Sequence, residues 1–222
     1  MNESTEKLAK EKLYKNQNSF YKSAYDTKVT PWSTDGRPSV PLVRAVKKIS
    51  KKLKSKIALD LGCGEGRHTI YLNDAGFKTI GLELQANALN RAKGREQKSL
   101  LYLRADLFVH PFKEAQFDLL VDYGVFHHIR RGDTGLYMKL ITSLLRPGGY
   151  LLLSCFSRNF RHDGGKKYPR GFVYHKNHYD RFSSKPEIRA IFGKEFEIDE
   201  IESDSGGFLN SIMSLKRQQA DF

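Results

Sequence analysis

The sequence predicts an α/β fold in which a parallel sheet is covered by helices on both faces. Three observations predict it. Short runs that are mostly apolar recur at 57–61, 78–82, 100–103, 117–121 and 150–155, with helical stretches between them; strands apolar throughout are those buried on both sides. The first run passes straight into Gly62-Cys63-Gly64-Glu65-Gly66, just ahead of a helix. The last third abandons the alternation: 196–201 and 208–215 read as two strands around Asp204-Ser205-Gly206-Gly207, an antiparallel hairpin.

The elements follow in order. Residues 1–30 read as one or two helices, and the prolines and glycine of 31–38 make a loop. Val43, Val46, Ile49 and Leu53 recur at helical spacing among lysines, so 39–54 is an amphipathic helix with a wet lysine face. After the first strand, 67–75 is helical and Gly76 suits its stop. Strand 78–82, helix 85–93 and strand 100–103 follow. Beyond strand 117–121, helix 134–145 gathers Leu136, Leu140, Ile141 and Leu144 on one face. Arg146-Pro147-Gly148-Gly149 is a turn before strand 150–155, and 185–192 is a short helix. The connection 157–182 is long enough to be a binding segment. The whole chain, 1–222, is expected to be a single domain: a covering segment at 1–38, a cofactor-binding core at 57–155 and a substrate loop at 157–182.

Composition narrows the function classes. The 222 residues are 39% hydrophobic, ordinary for a globular chain. No apolar run approaches the roughly 20 residues of a membrane span, so no membrane partner is expected. Met1-Asn2-Glu3-Ser4-Thr5-Glu6-Lys7 is polar and unlike a secretory signal. Cys63 and Cys155 fit no paired-cysteine metal pattern and read as reduced thiols of a cytoplasmic protein. The net charge of +13 allows an anionic partner or a merely solvated basic surface. His175 and His178 lack clear further ligands and read as surface-loop residues, with no metal expected.

The glycine loop alone fits any nucleotide-like ligand. The acids around it sharpen the reading. In an open parallel sheet, ligands bind beyond the carboxyl ends of the strands. Asp60, Glu83, Asp106 and Asp122 each stand at or just beyond a strand end on that edge. Glu83 is placed to accept from ribose hydroxyls and Asp106 from an adenine amino group. A pyrophosphate would be repelled by Asp60, Glu65 and Asp122, whereas a sulfonium cofactor bearing an ammonium group suits them. The loop also reads Gly-x-Gly-x-Gly, without the dinucleotide spacing.

These segments resemble the class I S-adenosylmethionine-dependent methyltransferases. Ala58-Leu59-Asp60-Leu61-Gly62-Cys63-Gly64-Glu65-Gly66 is similar to their glycine motif, Gly81-Leu82-Glu83 to their ribose-binding acidic position, and Arg104-Ala105-Asp106-Leu107 to the adenine side. The stretch from Phe117-Asp118 through Asp122-Tyr123-Gly124-Val125-Phe126-His127-His128-Ile129 resembles the fourth-strand motif, and Leu144-Leu145-Arg146-Pro147-Gly148-Gly149-Tyr150-Leu151 the turn before the fifth. The resemblance implies a Rossmann-like, seven-stranded, mostly parallel sheet with an antiparallel last strand. It implies S-adenosyl-L-methionine as cofactor, held by Asp60, Gly62, Cys63, Gly64, Glu83, Leu84, Ala105, Asp106, Leu107, Asp122 and Tyr123. Phe20-Tyr21-Lys22-Ser23-Ala24-Tyr25 with Pro31-Trp32 resembles the start of the thiopurine and tellurite-resistance group, which implies that Tyr21, Tyr25 and Trp32 close the site.

His128, His127 and Tyr123 are the candidate catalytic residues, since histidine titrates near neutrality and a hydroxyl or amine acceptor benefits from a base; a structural role for the histidines stays open. Arg158, Arg161, Lys166, Lys167, Arg170, Lys176 and Arg181 alternate with Phe160, Tyr168, Phe172, Tyr174 and Tyr179. That mixture suits a small acceptor, anionic or aromatic. RNA, whose bases stack on such side chains, is the rival partner, and a cofactor-binding protein without catalysis is the third reading.

Overall fold

In the computed structural model, residues 3–27, 30, 32, 36–94, 100–161, 171–175 and 178–217 are described. Pro31, Ser33, Thr34, Asp35, Lys166, Lys167, Tyr168, Arg170 and Lys176 lie outside them.

The chain runs α1 (Glu3–Asp26), α2 (Val40–Ile49), β1 (Ile57–Leu61), α3 (Arg67–Asp74), β2 (Lys78–Glu83), α4 (Ala86–Lys93), β3 (Leu101–Arg104), β4 (Phe117–Tyr123), α5 (Thr134–Leu144), β5 (Leu145–Phe156), β6 (Phe172–His175), β7 (His178–Arg181), α6 (Lys185–Phe192), β8 (Phe196–Ser203) and β9 (Phe208–Leu215). Single turns of 3-10 helix at Phe126–His128 and Arg131–Asp133 join β4 to α5. The seven-stranded sheet has the order β3-β2-β1-β4-β5-β9-β8. Pairing is parallel from β3 to β5 and antiparallel through β9 and β8. This is the expected α/β, Rossmann-like architecture with its C-terminal hairpin.

Alternation along each strand fills both faces. Leu59, Leu61, Leu120, Leu151 and Leu153 pack with Tyr137 and Ile141 of α5 and Phe192 of α6. Ala58, Leu119, Val121 and Leu152 pack with Leu42, Val46 and Ile49 of α2 and Leu72 of α3. The polar side of α2 is less wet than expected. Arg44 and Lys48 pair with Glu200 of β8 at 2.5 and 2.7 Å, so part of the basic run meets the chain's own acids.

Two boundaries depart from the sequence reading, and one is settled. Residues 3–26 form a single helix, within the one or two expected. The lysine-faced helix stops at Ile49, although Leu53 still packs against the core. The expected turn Arg146-Pro147-Gly148-Gly149 is absorbed into β5: Phe117 pairs with Leu145 but Leu119 with Tyr150, a bulge in which the extra residues are looped out of register.

The expected loop 157–182 also carries structure of its own. β6 and β7 form a two-stranded antiparallel ribbon with Phe172 opposite Arg181 and His175 opposite His178. Four-residue strands with polar members give too little apolar alternation to stand out in sequence. α1 contacts β7 and α4, so it lies across the carboxyl edge of the sheet.

Candidate functional site

A cavity of about 1300 Å³ opens at that edge, lined by the glycine loop, the ends of β2 and β4, α1 and the ribbon. The loop turns because its glycines hold φ values closed to other residues. Gly62 (φ 62°) lies against Val125, whose Cγ2 would stand 2.4 Å from an added Cβ, and Gly64 (φ 56°) against Tyr25, whose hydroxyl would stand 2.8 Å away. Bare backbone is therefore presented to the cavity. Cys63 beside it is buried.

The four strand-end acids fare differently. Asp60 lines the cavity although only 1% exposed; its Oδ2 accepts from Thr69 Oγ1 at 2.6 Å. Burial pushes its carboxyl up to about 7. Glu83 accepts from the N–H groups of Gly64 (3.0 Å), Leu84 (2.8 Å) and Gln85 (2.8 Å). It thus spends about three of a carboxylate's roughly four acceptor sites on the chain itself. Burial still raises its pKa against those bonds. Asp106 is exposed at the rim with Ala105 and Leu107, and its Oδ1 accepts from Phe108 N–H at 2.8 Å.

Asp122 does not join them. Its Oδ1 accepts from Val125 and Phe126 N–H at 2.8 and 3.2 Å, and its Oδ2 from Tyr137 Oη at 2.6 Å. It is fully buried and holds the turn after β4 rather than facing the cavity. The acidic rim therefore has three members from the sequence list, with Glu65 as a fourth neighbour.

The roof is α1. Arg91 of α4 donates to Glu65 at 2.8 Å and to the carbonyls of Tyr25 and Thr27, tying the helix end to the glycine loop. Further along, Gln85 donates to Asn18 Oδ1 at 2.5 Å and Tyr14 to Asp133 at 2.7 Å. Trp32 Nε1 donates to Tyr25 Oη at 3.0 Å, and the Tyr21 and Trp32 ring centroids lie 5.6 Å apart. Tyr21, Tyr25 and Trp32 all line the cavity, as does Leu84.

Of the candidate catalytic residues, Tyr123 packs against His68 with centroids 4.5 Å apart. His127 is buried and stacks on Phe156 at 3.7 Å. His128 is engaged differently. The Tyr21 hydroxyl is 2.5 Å from its Nε2, and its Nδ1 is 2.8 Å from Asp180 Oδ1. Asp180, wholly buried, also holds His175 Nε2 at 2.8 Å and His178 Nε2 at 3.2 Å through Oδ2. The surface-loop reading of these histidines is thereby corrected: His178 is 5% exposed and both line the cavity. Asp180 escaped the sequence reading. The signal was present in His178-x-Asp180, which strand alternation places on one face.

Two described basic residues of the long connection engage the chain itself. Arg158 donates to Glu187 at 2.7 Å. Arg181 donates to Thr134 at 2.9 Å, its guanidinium 4.4 Å from the Phe126 ring centre. Neither points to an anionic ligand. Phe160 does reach the cavity and stacks on Phe156 at 3.8 Å.

Residues 59–153 match the methyltransferase-domain family. A probable thiol methyltransferase 2 of Arabidopsis thaliana is 26% identical over 70% of this chain and 69% of its own length. A 2-heptyl-1-hydroxyquinolin-4(1H)-one methyltransferase of Mycobacteroides abscessus is 26% identical over 77% and 70%. Among solved structures, the Burkholderia thailandensis 1,6-didemethyltoxoflavin-N1-methyltransferase, with its substrate and S-adenosylhomocysteine bound, superposes with a TM-score of 0.70 over 92% of this chain and 89% of its own, at 22% identity.

Proposed function

We propose, since the chain belongs to the class I S-adenosylmethionine-dependent methyltransferases and takes its methyl group from S-adenosyl-L-methionine, that its acceptor is a small aromatic or apolar molecule reacting through a thiol or hydroxyl. The observation that carries the reading is the aromatic lining of the cavity, to which Phe20 and Tyr21 of α1 and Phe156, Phe160 and Phe208 all contribute. Pockets of this kind bury most of a small ligand. The two curated relatives, whose names describe a thiol and a hydroxyquinolone acceptor, agree with it.

The donor set fits the cofactor. Asp60, with a carboxyl lifted to about 7 by burial, is a group waiting for a cation such as the amino acid's ammonium. Gly62 and Gly64 open their backbone to it, Glu83 has acceptor capacity left for a ribose hydroxyl, and Asp106 with Ala105 and Leu107 frames an adenine. Trp32, Tyr21 and Tyr25 cover it. When bound, the cofactor supplies an activated methyl group on a sulfonium centre. The chain's own work is to align the acceptor, exclude water and receive its proton.

Tyr21, His128 and Asp180 stand in line for that last task, an imidazole with a carboxylate oxygen 2.8 Å from its Nδ1. His128→Ala is expected to lower kcat with a hydroxyl acceptor by about 10²–10⁴-fold while cofactor affinity stays unchanged. A thiol acceptor that ionises unaided should suffer far less. The reading is tested by incubating the protein with labelled cofactor and a panel of small thiols and aromatic hydroxyls, followed by mass spectrometry. Methylated small product supports it; transfer to copurifying RNA with none to the panel would overturn it.

A further inference from the structure

We propose that the β6–β7 ribbon carries a binding site for a divalent first-row transition-metal ion, such as zinc, held by His175 Nε2, His178 Nε2 and an Asp180 carboxylate oxygen. The register of the ribbon builds it. His175 stands directly opposite His178, and Asp180 follows His178 by two positions, on the same face. The three ligand atoms all lie within 4.8 Å of one another. A short closure around an ion brings such atoms to the distances of about 2.0–2.2 Å that zinc takes from imidazole nitrogen and carboxylate oxygen.

The surroundings complete the case. Metal-bound carboxylates and imidazoles are oriented by outer partners. Here His128 Nδ1 holds the other carboxylate oxygen at 2.8 Å, and the Phe20 ring stacks on His178 at 4.0 Å. Asp180 is wholly buried, and its Oδ2 already meets both imidazole nitrogens, His175 Nε2 at 2.8 Å and His178 Nε2 at 3.2 Å. Two imidazoles and one carboxylate leave further positions of the ion open, and all three residues line the acceptor chamber. An acceptor thiolate or oxyanion can occupy an open position. This role for the ion rests on the acceptor reading above; the ion's binding does not.

The test therefore reads binding rather than turnover. The purified full-length protein is stripped with chelator and titrated with Co²⁺ and Zn²⁺ alone, followed by calorimetry and visible absorption. Expected are one ion per chain, ligand-field bands from Co²⁺, and displacement of those bands by Zn²⁺. His175→Ala and His178→Ala should each weaken binding by more than the roughly 10–100-fold that loss of an outer partner costs, with circular dichroism unchanged. His110→Ala, beyond the cavity, should bind as the parent does. Absence of ligand-field bands in the parent protein, or bands that persist in His178→Ala, would overturn the proposal and leave the cluster a hydrogen-bond network. Methylation of thiols without any metal binding would sink this inference while leaving the acceptor reading intact.

Discussion

Asp60 carries its carboxyl at about 7 instead of the ordinary 3.8 because burial strips its water. A raised acid favours the folded state only while protonated. Its contribution is present in full below about 4 and is lost as pH climbs through about 7. An ammonium group seated beside it reverses that preference. Cofactor affinity is therefore expected to rise between about pH 6 and about pH 8, with proton release on binding. Calorimetry near neutrality in two buffers of different ionisation enthalpy counts that proton; Asp60→Asn should release none, and equal release from both would refute the assignment. At this scale the sequence was partly readable. Asp60 and Glu83 were legible as acids lining the cavity, because a strand end beside a glycine turn has few other uses for an acid. Asp122 was misplaced because strand position does not say which way a carboxylate turns, and the turn's own N–H groups claimed it first. Asp180 was missed because His178-x-Asp180 shows its shared face only once the ribbon strand is known, and its third partner, His128, comes from a distant turn.

The short helix α6 shows how one element is made. Ser184 caps it by accepting from Glu187 N–H, while Glu187 accepts in return from Ser184 N–H at 2.7 Å, a capping box. Ser184→Ala is expected to cost about 1 kcal/mol, measured by urea denaturation. Burial pushes the Glu187 carboxyl up, but Arg158, Ser184 and Arg131 outweigh it and hold it down at about 2. Its contribution is present above about 4.5 and is lost as pH falls toward about 2. An acid titration followed by circular dichroism should show Glu187→Gln losing less stability than the parent between those values. Elements of this size were legible wherever a cap or an apolar run marked them; helix 185–192 was read to the residue. The ribbon was not, because its pairing partners decide it rather than its own alternation.

The whole molecule is a sheet with a helical roof clamped over one edge. Cofactor bound beneath the roof should stabilise the fold by about 2.7 kcal/mol at a concentration 100-fold above Kd, seen as a rise in Tm. Hydrogen exchange along α1 should slow at the same time, since Tyr21 and Tyr25 hang from it into the cavity; an unchanged α1 would mean that the roof takes no part in binding. The sheet itself has a further consequence, in the order of its making. β9 lies between β5 and β8, although it follows both in the chain. A ribosome working at roughly 5–20 residues per second takes about 3–12 s to move from Phe156 to Leu215. For that interval the apolar β5 has one hydrogen-bonding edge uncovered, a template for pairing with other chains. The nascent protein is thus most exposed to aggregation after its parallel strands are complete and before the β8–β9 hairpin arrives.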